Sequence, residues 1–451
     1  MTQHPFDPGT AGYVSATVTS QEAFASARRL LPTGVSRQTL AYRPHPVFAA
    51  RGAHQYLWDV DGNRYLDLVN NFTSLIHGHA HGPSVAAAVE ELALGGALGA
   101  PTRRELEFAA LMRERFPGMR RMRFALSGSE AIGYALRAAR AHTGRSRILK
   151  FEGGFHGSHD EVQQNIGLPP LPAGTFSPGR PNGAGLMQVP TLVAVYNDLD
   201  SVRAAFAAYG DDIAAVVVEP FLGNAGLVTA RPGFLAALRD IAHQHGALLV
   251  LDEIQSMRLA YGGAQHLHDV TPDLTTVGKI MGGGMPLAGF GGSEEIMSVF
   301  DGFAPDVVQT GTFNAFSISL ATGLATMRHF GPEAVGHLEA LGSRMRSGLR
   351  RIHHDRGIPV TVNGTGSMFN VSYAEGPIDT YRAWFAVPTR RWKAVHLHLL
   401  THGFYVTARG TGCLSTPMTA EDVDRFLAEF DTALAAAPAD EIKADETKEV
   451  A

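Results

Sequence analysis

Two stretches of this 451-residue chain, IAAVVVEP at 213–220 and ALLVLDE at 247–253, are apolar at successive positions and then end on acidic residues. A strand with one face in water alternates polar and apolar residues, so unbroken apolar runs of this length imply strands buried on both faces. The segments around them have helical periodicity. In 130–142, Ile132, Ala135, Leu136 and Ala139 share one face while Arg137 and Arg140 fall elsewhere, and Gly144 is placed to cap the end. A further strand is expected at RILKF (147–151), and a helix at 234–245 is stopped by Gly246. Parallel strands covered by helices follow, an α/β fold with a mostly parallel central sheet and, after about Pro332, a smaller α+β lobe ending in a helix over 420–436.

Composition narrows the function. With 45% hydrophobic and 18% charged residues, the chain can bury a large core in two or three lobes. Its 38 basic and 43 acidic residues are interspersed, which leaves no electrostatic footprint for nucleic acid or an anionic membrane and points to small-molecule partners. Cys413 is the single cysteine, so no intrachain disulfide is available. The chain has no apolar run of the roughly 18 residues needed to span a bilayer, and its first residues lack the pattern of a secretory signal. A soluble, cytoplasmic protein is expected. The first twenty residues read as a loose arm and the charged end from Asp440 as a disordered tail. The expected division is an arm and joining segment at 1–75, a large domain at 76–331, a small domain at 332–437 and the tail at 438–451.

In parallel α/β sheets, ligands sit beyond the carboxyl ends of the strands, and four such places carry chemistry. LSGSEA (126–131) opens the 130–142 helix with glycine and serine, and its free N–H groups and the Ser127 and Ser129 hydroxyls suit a phosphate, although an ordinary serine cap has the same sequence. In FEGGFHG (151–157), Phe155 could stack on a planar ring or be a core aromatic. Asp252 ends a buried strand, where a carboxylate can pair with a cationic ring nitrogen or cap the next segment. Lys279, in LTTVGKIMGGGMP, precedes three glycines; a desolvated amine there would be nucleophilic towards a carbonyl, whereas the bland alternative is a solvated surface lysine. Phosphate cradle, stacking ring, carboxylate and lysine together describe one cofactor, pyridoxal 5'-phosphate.

With YLWDVDGNRYLDLV, GHAHG, SGSEA, HTGRSRILKFEGGFHG, YNDLDSV, VVVEP, GALLVLDEI, TPDLTTVGKIMGGGMPLAGFGG and GTFNAFS, the chain resembles the class III (ω-type) aminotransferases from about Leu31 to about Leu427. It looks most like the branch containing glutamate-1-semialdehyde aminomutase and the aromatic β-amino-acid aminotransferases. The resemblance implies the fold-type I architecture, with Lys279 forming the internal aldimine and Asp252 pairing with the pyridine nitrogen. It also implies that Gly128 and Ser129 hold the phosphate, that Phe155 and Ile254 take opposite ring faces, and that Gln255 reaches the phenolic oxygen. Thr312, in QTGTF, matches the position that reaches the phosphate of the neighbouring subunit, which implies a homodimer with a shared site. Ser129 and Phe155 stand where the family usually has threonine and tyrosine, and both keep the relevant group. Cys413 stands about where the ornithine and GABA branch carries a substrate-binding arginine, which argues against those substrates.

For a substrate carboxylate, the resemblance points to Arg37, a guanidinium able to make two parallel hydrogen bonds, and to Arg409 for the keto-acid partner, with Phe72 and Asn224 as pocket walls. His77, His79 and His81 alternate as they would on one face of a strand, but GHAH is a structural turn in the resembled family and no metal is expected. The leading expectation is a transaminase acting on a carboxylate-bearing amine such as a β-amino or aromatic amino acid. The alternatives are an aminomutase or racemase using the same cofactor, and a retired homologue that only binds, which the presence of Lys279 and Asp252 disfavours.

Overall fold

The computed structural model describes residues 8–181 and 185–437. At its centre is an eight-stranded sheet of β1 (Arg121–Ala125), β2 (Arg147–Phe151), β3 (Phe176–Pro178), β4 (Thr191–Ala194), β5 (Ile213–Val218), β6 (Leu248–Asp252), β7 (Leu274–Val277) and β8 (Ala288–Gly292). Their spatial order is β1-β8-β7-β6-β5-β2-β4-β3. β8 runs antiparallel to both neighbours and β3 antiparallel to β4, while β7, β6, β5, β2 and β4 are parallel. Because the chain direction reverses twice across β8, β1 points the same way as those five. Six carboxyl ends therefore open along one edge of the sheet.

The apolar runs behave as buried strands must, with β5 and β6 buried along their whole length. Val216 and Val218 of β5 and Leu249 and Leu251 of β6 pack with Phe234, Leu235 and Leu238 of the helix Phe234–Gln244. On the opposite face, Val217 and Val250 pack with Ile132, Ala135, Leu136 and Ala139 of the helix Gly128–Thr143. Each of the valine, leucine, isoleucine and phenylalanine side chains among them contributes roughly 1.5–3 kcal/mol of burial free energy. The same period of two puts Asp252 on the face of the Gly128–Thr143 helix, because it follows Val250 by two residues. That helix starts on a Ser127 cap and ends at Gly144, whose φ of 69° no β-carbon opposes.

A three-stranded antiparallel sheet of Thr361–Asn363, Met368–Ser372 and Thr411–Cys413 lies with the helices Pro332–Asp355 and Ala420–Ala436. A second small sheet joins the two ends of the chain, since Arg64–Asp67 pairs in parallel with Phe404–Tyr405. This brings the 64–75 region beside the C-terminal segment.

One expectation needs correction. The first twenty residues are not a loose arm from residue 8 onward, because they form the helix Pro8–Ala16 and begin the helix Val18–Leu30. The Tyr13 side chain is fully buried and its hydroxyl donates to the His45 carbonyl at 2.9 Å, while Asp61 accepts the N–H of Ser20 at 3.0 Å. These anchors are tertiary, and no local periodicity announces them. The expected disordered tail at 438–451 lies outside the described residues.

Candidate active site

Asp252 stands at the centre of the strand-end edge. Its Oδ2 accepts the Nδ1–H of His156 at 2.8 Å, and its Oδ1 accepts the N–H of Ile254 at 3.1 Å and the Thr276 hydroxyl at 3.4 Å. Three donors from three segments fix one carboxylate orientation. Both Asp252 and His156 are buried, and burial holds the imidazole below the usual histidine range against the pull of Asp252. The His156 Nε2 atom has no hydrogen-bond partner among the described residues.

Lys279 opens the short turn Lys279–Gly282 directly after β7, with a φ of 47°. This left-handed conformation is uncommon for a residue with a β-carbon, and such strain gathers at working sites. Desolvation pushes the Lys279 amine below the usual lysine range, against the opposing influence of Glu219 and Asp252. A larger share of neutral, nucleophilic amine results. The glycines after it have a steric reason: a β-carbon at Gly283, with φ of 60°, would overlap the Thr326 hydroxyl.

Two buried ionisable groups frame the turn that carries Phe155 and His156. Glu219, just past β5, accepts the N–H of Phe155 at 2.9 Å and that of Gly223 at 3.1 Å. Burial, reinforced by the neighbouring Asp252 charge, pushes the Glu219 carboxyl up to about 8. Lys150, on β2, donates to the carbonyls of Gly154, Val162 and Gln164 at 3.0, 2.8 and 2.8 Å. Burial lowers its amine to about 7. Neither residue was singled out from sequence, although Glu219 ends an apolar run just as Asp252 does, and that was the available signal.

The segment expected to cradle a phosphate lies at the start of the Gly128–Thr143 helix. Ser127 accepts the N–H of Glu130 at 3.2 Å, so the simple cap reading of this serine is correct. The first N–H groups of a helix precede its intrahelical bonding pattern, which leaves those of Gly128 and Ser129 at its positive end. The Ser129 Oγ accepts the N–H of Ser158 at 3.0 Å and keeps its own proton to donate. A β-carbon on Gly128 would lie 2.7 Å from Ile254 Cδ1, and one on Gly157 would lie 2.6 Å from Ser129 Oγ. Helix start, the loop after Asp252 and the Phe155 turn are thus in contact. Phe155 itself is 39% exposed, with a ring face available to a ligand.

Of the expected substrate residues, Arg37 and Phe72 come together. Arg37 Nη1 donates to Asn71 Oδ1 at 2.8 Å, and its guanidinium lies 5.4 Å from the Phe72 ring centroid. Asn70, Asn71, Phe72 and Thr73 all have left-handed backbone, with φ of 48°, 47°, 54° and 73°. Each costs roughly 1–2 kcal/mol without glycine, so the surroundings must hold the turn. Asp67 Oδ1 accepts the N–H of Val69 at 2.8 Å and of Asn70 at 2.9 Å, and Asn70 Nδ2 donates to the Cys413 carbonyl at 3.0 Å. The fully buried Arg258 donates to the Thr73 carbonyl at 3.0 Å, to Ser367 Oγ at 3.0 Å and to the Leu414 carbonyl at 2.6 Å. The Arg258 charge also reaches Lys279 and Cys413. One buried cation therefore holds the Phe72 turn, and its like charge adds to the desolvation that lowers the Lys279 amine.

The remaining residues are more dispersed. Gln255 lies against Gly223, in the loop that follows Glu219, and the adjacent Asn224 is exposed. Arg409 is half-buried, with burial lowering its guanidinium, and the charge of Arg37 is felt at Tyr405, in the strand just before it. Thr312 is exposed on the surface of the protomer. The three histidines do not share a face: His79 bonds Asp67 at 2.7 Å, whereas His77 and His81 stack at 4.5 Å on the far side of the turn.

The residues present fit pyridoxal phosphate. The donor set matches its phosphate, ring nitrogen and aldehyde, and the close packing at Gly128 and Gly157 shapes the cradle. An eight-stranded sheet with this strand-end constellation defines a fold-type I enzyme of the transaminase kind. Comparison with known proteins agrees. The family model described as aminotransferase class-III matches residues 38–434, and the chain belongs to that family. The chain is 40% identical over 416 residues to glutamate-1-semialdehyde 2,1-aminomutase 2 of Brevibacillus brevis, covering 90% of this chain and 96% of that protein. It superposes on the crystal structure of an ω-transaminase from Sphaerobacter thermophilus with a TM-score of 0.88 at 38% identity, covering 95% and 98% of the two chains. A β-phenylalanine aminotransferase from Variovorax paradoxus gives a TM-score of 0.88 at 34% identity, covering 96% and 98%. The family depends on pyridoxal phosphate, and the chain is an enzyme of that class.

Proposed function

We propose that the protein is an aminotransferase that takes an amino group from a carboxylate-bearing amine, of the β-amino or aromatic type, and passes it to a keto acid. The observation that carries this reading is the seating of Arg37, fixed by Asn71 at 2.8 Å and by the Phe72 ring, on a turn that Arg258 holds through the Thr73 carbonyl. A guanidinium so placed orients a substrate carboxylate bidentately. When bound, pyridoxal phosphate supplies an electron-withdrawing ring that stabilises negative charge at the carbon bearing the transferred nitrogen.

In this reading Gly128, Ser129 and the helix N-terminus bind the phosphate, and Phe155 and Ile254 confine the ring between them. Asp252, aimed by His156, would keep a proton at the ring nitrogen, and Gln255 would meet the phenolic oxygen. Lys279 would hold the cofactor through its amine, and the same amine would take a proton from the amine-bearing carbon of the substrate. Arg409 takes the carboxylate of the keto acid, and Phe72 and Asn224 form pocket walls.

The same reading makes the working unit a homodimer, with Thr312 of each subunit completing the other's phosphate site. Support comes from exposed apolar side chains along the helix Gly82–Ala93, namely Val85, Val89 and Leu92, which a second subunit would cover. It divides the chain into a large cofactor domain at 76–331 flanked by the joining segment at 1–75 and the small domain at 332–437. A cytoplasmic setting is part of it, supported by the lone buried Cys413; among the described residues no helix is long and apolar enough to cross a membrane.

A second reading, an aminomutase that returns the amino group to the same molecule, is favoured by the 40% identity to the Brevibacillus brevis protein. A nitrogen-15-labelled donor incubated with a separate keto acid separates the two. Label recovered in the new amino acid supports the aminotransferase; isomerisation of one substrate without transfer replaces it with the aminomutase.

A further inference from the structure

The helices Arg390–Thr401 and Ala420–Ala436 carry three potential metal ligands that the transamination chemistry does not use. His398 and His402 are four residues apart, so they project from adjacent turns on one side of the first helix. Their rings stack at 4.0 Å between centroids with 13° between planes. Glu429 faces both from the second helix: its Oε1 lies 2.6 Å from His398 Nε2 and 3.8 Å from His402 Nδ1. One donor atom from each residue falls within 4.8 Å of the others.

We infer that His398, His402 and Glu429 form a binding site for a divalent transition ion of the zinc class. Two imidazoles and one carboxylate are a borderline-soft donor set that suits zinc and leaves further positions for water. Around an ion with bonds of about 2.0–2.1 Å, tetrahedral donors stand roughly 3.3 Å apart. The His402 to Glu429 separation of 3.8 Å is already close to this, and the 2.6 Å pair opens slightly to admit the ion. An ion lies in the plane of each imidazole that ligates it, so binding requires the two stacked rings to turn apart as His402 swings from the His398 carbonyl towards Glu429.

The backbone adds an independent favourable term. His402 is the C-cap of its helix, so the site lies at the negative end of that helix, where a cation is stabilised. The His402 Nδ1 presently bonds the His398 carbonyl at 2.8 Å, and it exchanges that partner for the ion on binding. All three side chains are partly exposed, with side-chain exposures of 21%, 46% and 26%, so the ion enters without unfolding anything. Its consequence is structural: it staples the last helix to the helix that leads into the Phe404–Tyr405 strand.

The test uses the full-length holoenzyme, stripped with chelator and titrated with zinc by calorimetry and with cobalt by visible absorption. The expected result is one equivalent bound per chain, a tetrahedral cobalt spectrum and a zinc-dependent rise in Tm. His402→Ala, an exposed substitution, and Glu429→Ala should each weaken binding by at least about tenfold, a loss that even an outer partner of a metal site can produce. The cofactor absorbance of both variants should match the parent. Absence of saturable binding, or binding that survives either substitution unchanged, overturns the site.

Discussion

The Nδ1–H of His156 points at Oδ2 of Asp252 across 2.8 Å, with both side chains withdrawn from solvent. An imidazole so placed orients the carboxylate that, in the proposed function, meets the cofactor ring nitrogen. His156→Ala removes the donor and leaves space behind Asp252, and a loss on the order of 10²-fold in kcat is expected from such mispositioning. His156→Asn can return an N–H near the Nδ1 position and should recover much of the activity. Steady-state kinetics of the two variants check this; indistinguishable variants would show that His156 only fills space.

Arg37 and Asn71 should act as a pair. Asn71 has φ of 47°, which glycine adopts freely, so Asn71→Gly should leave Tm within a few degrees while freeing the Arg37 side chain. KM for a carboxylate-bearing donor should rise in Asn71→Gly and rise further in Arg37→Ala. A donor amine without a carboxylate should be nearly indifferent to both. The comparison of KM across the two donors is the measurement.

Arg258 holds the strained turn from beneath, through the carbonyls of Thr73 and Leu414. Arg258→Met strands both carbonyls in a dry interior at roughly 1–3 kcal/mol each. Urea unfolding should register that loss, and kcat/KM should fall as well, because Asn70–Thr73 is then free to leave its left-handed conformation. Loss of stability with unaltered kcat/KM would detach the turn from function.

Glu219 gives stability a definite pH dependence. Its folded carboxyl holds a proton up to about 8, whereas its ordinary value is 4.5. Across that window the folded chain binds more protons than the unfolded one, so stability falls as pH rises. The contribution is complete below 4.5 and lost by about 8. Glu219→Gln stays neutral throughout, and its Tm between pH 5 and 8.5 should decline less than that of the parent. Apo protein is the right material, since Lys279 then carries no cofactor in either protein.

The legible parts of this molecule were those that burial writes into local patterns. Apolar runs marked β5 and β6, spacing marked the Gly128–Thr143 helix, and the topology rule for strand ends then isolated Asp252 and Lys279. What stayed hidden depends on contacts between distant segments. His156 has meaning only because Asp252 is 96 positions away in sequence and 2.8 Å away in space. Lys150 sits between the apolar Leu149 and Phe151, and its three carbonyl partners come from a loop with no periodicity. The turn Asn70–Thr73 contains no glycine, so local propensity argues against the conformation that Asp67 and Arg258 impose. The helix Pro8–Ala16, pinned through its buried Tyr13, was missed for the same reason.

The central claim is that the lysine after β7 carries the cofactor. Of the five lysines in the sequence, Lys150 is the rival, being buried with its amine lowered to about 7. The direct measurement is mass spectrometry of peptides from holoenzyme reduced with borohydride. The reduced cofactor mass is expected on the peptide containing Lys279 and should disappear in Lys279→Ala. Cofactor mass on Lys150, or on no lysine at all, would contradict it.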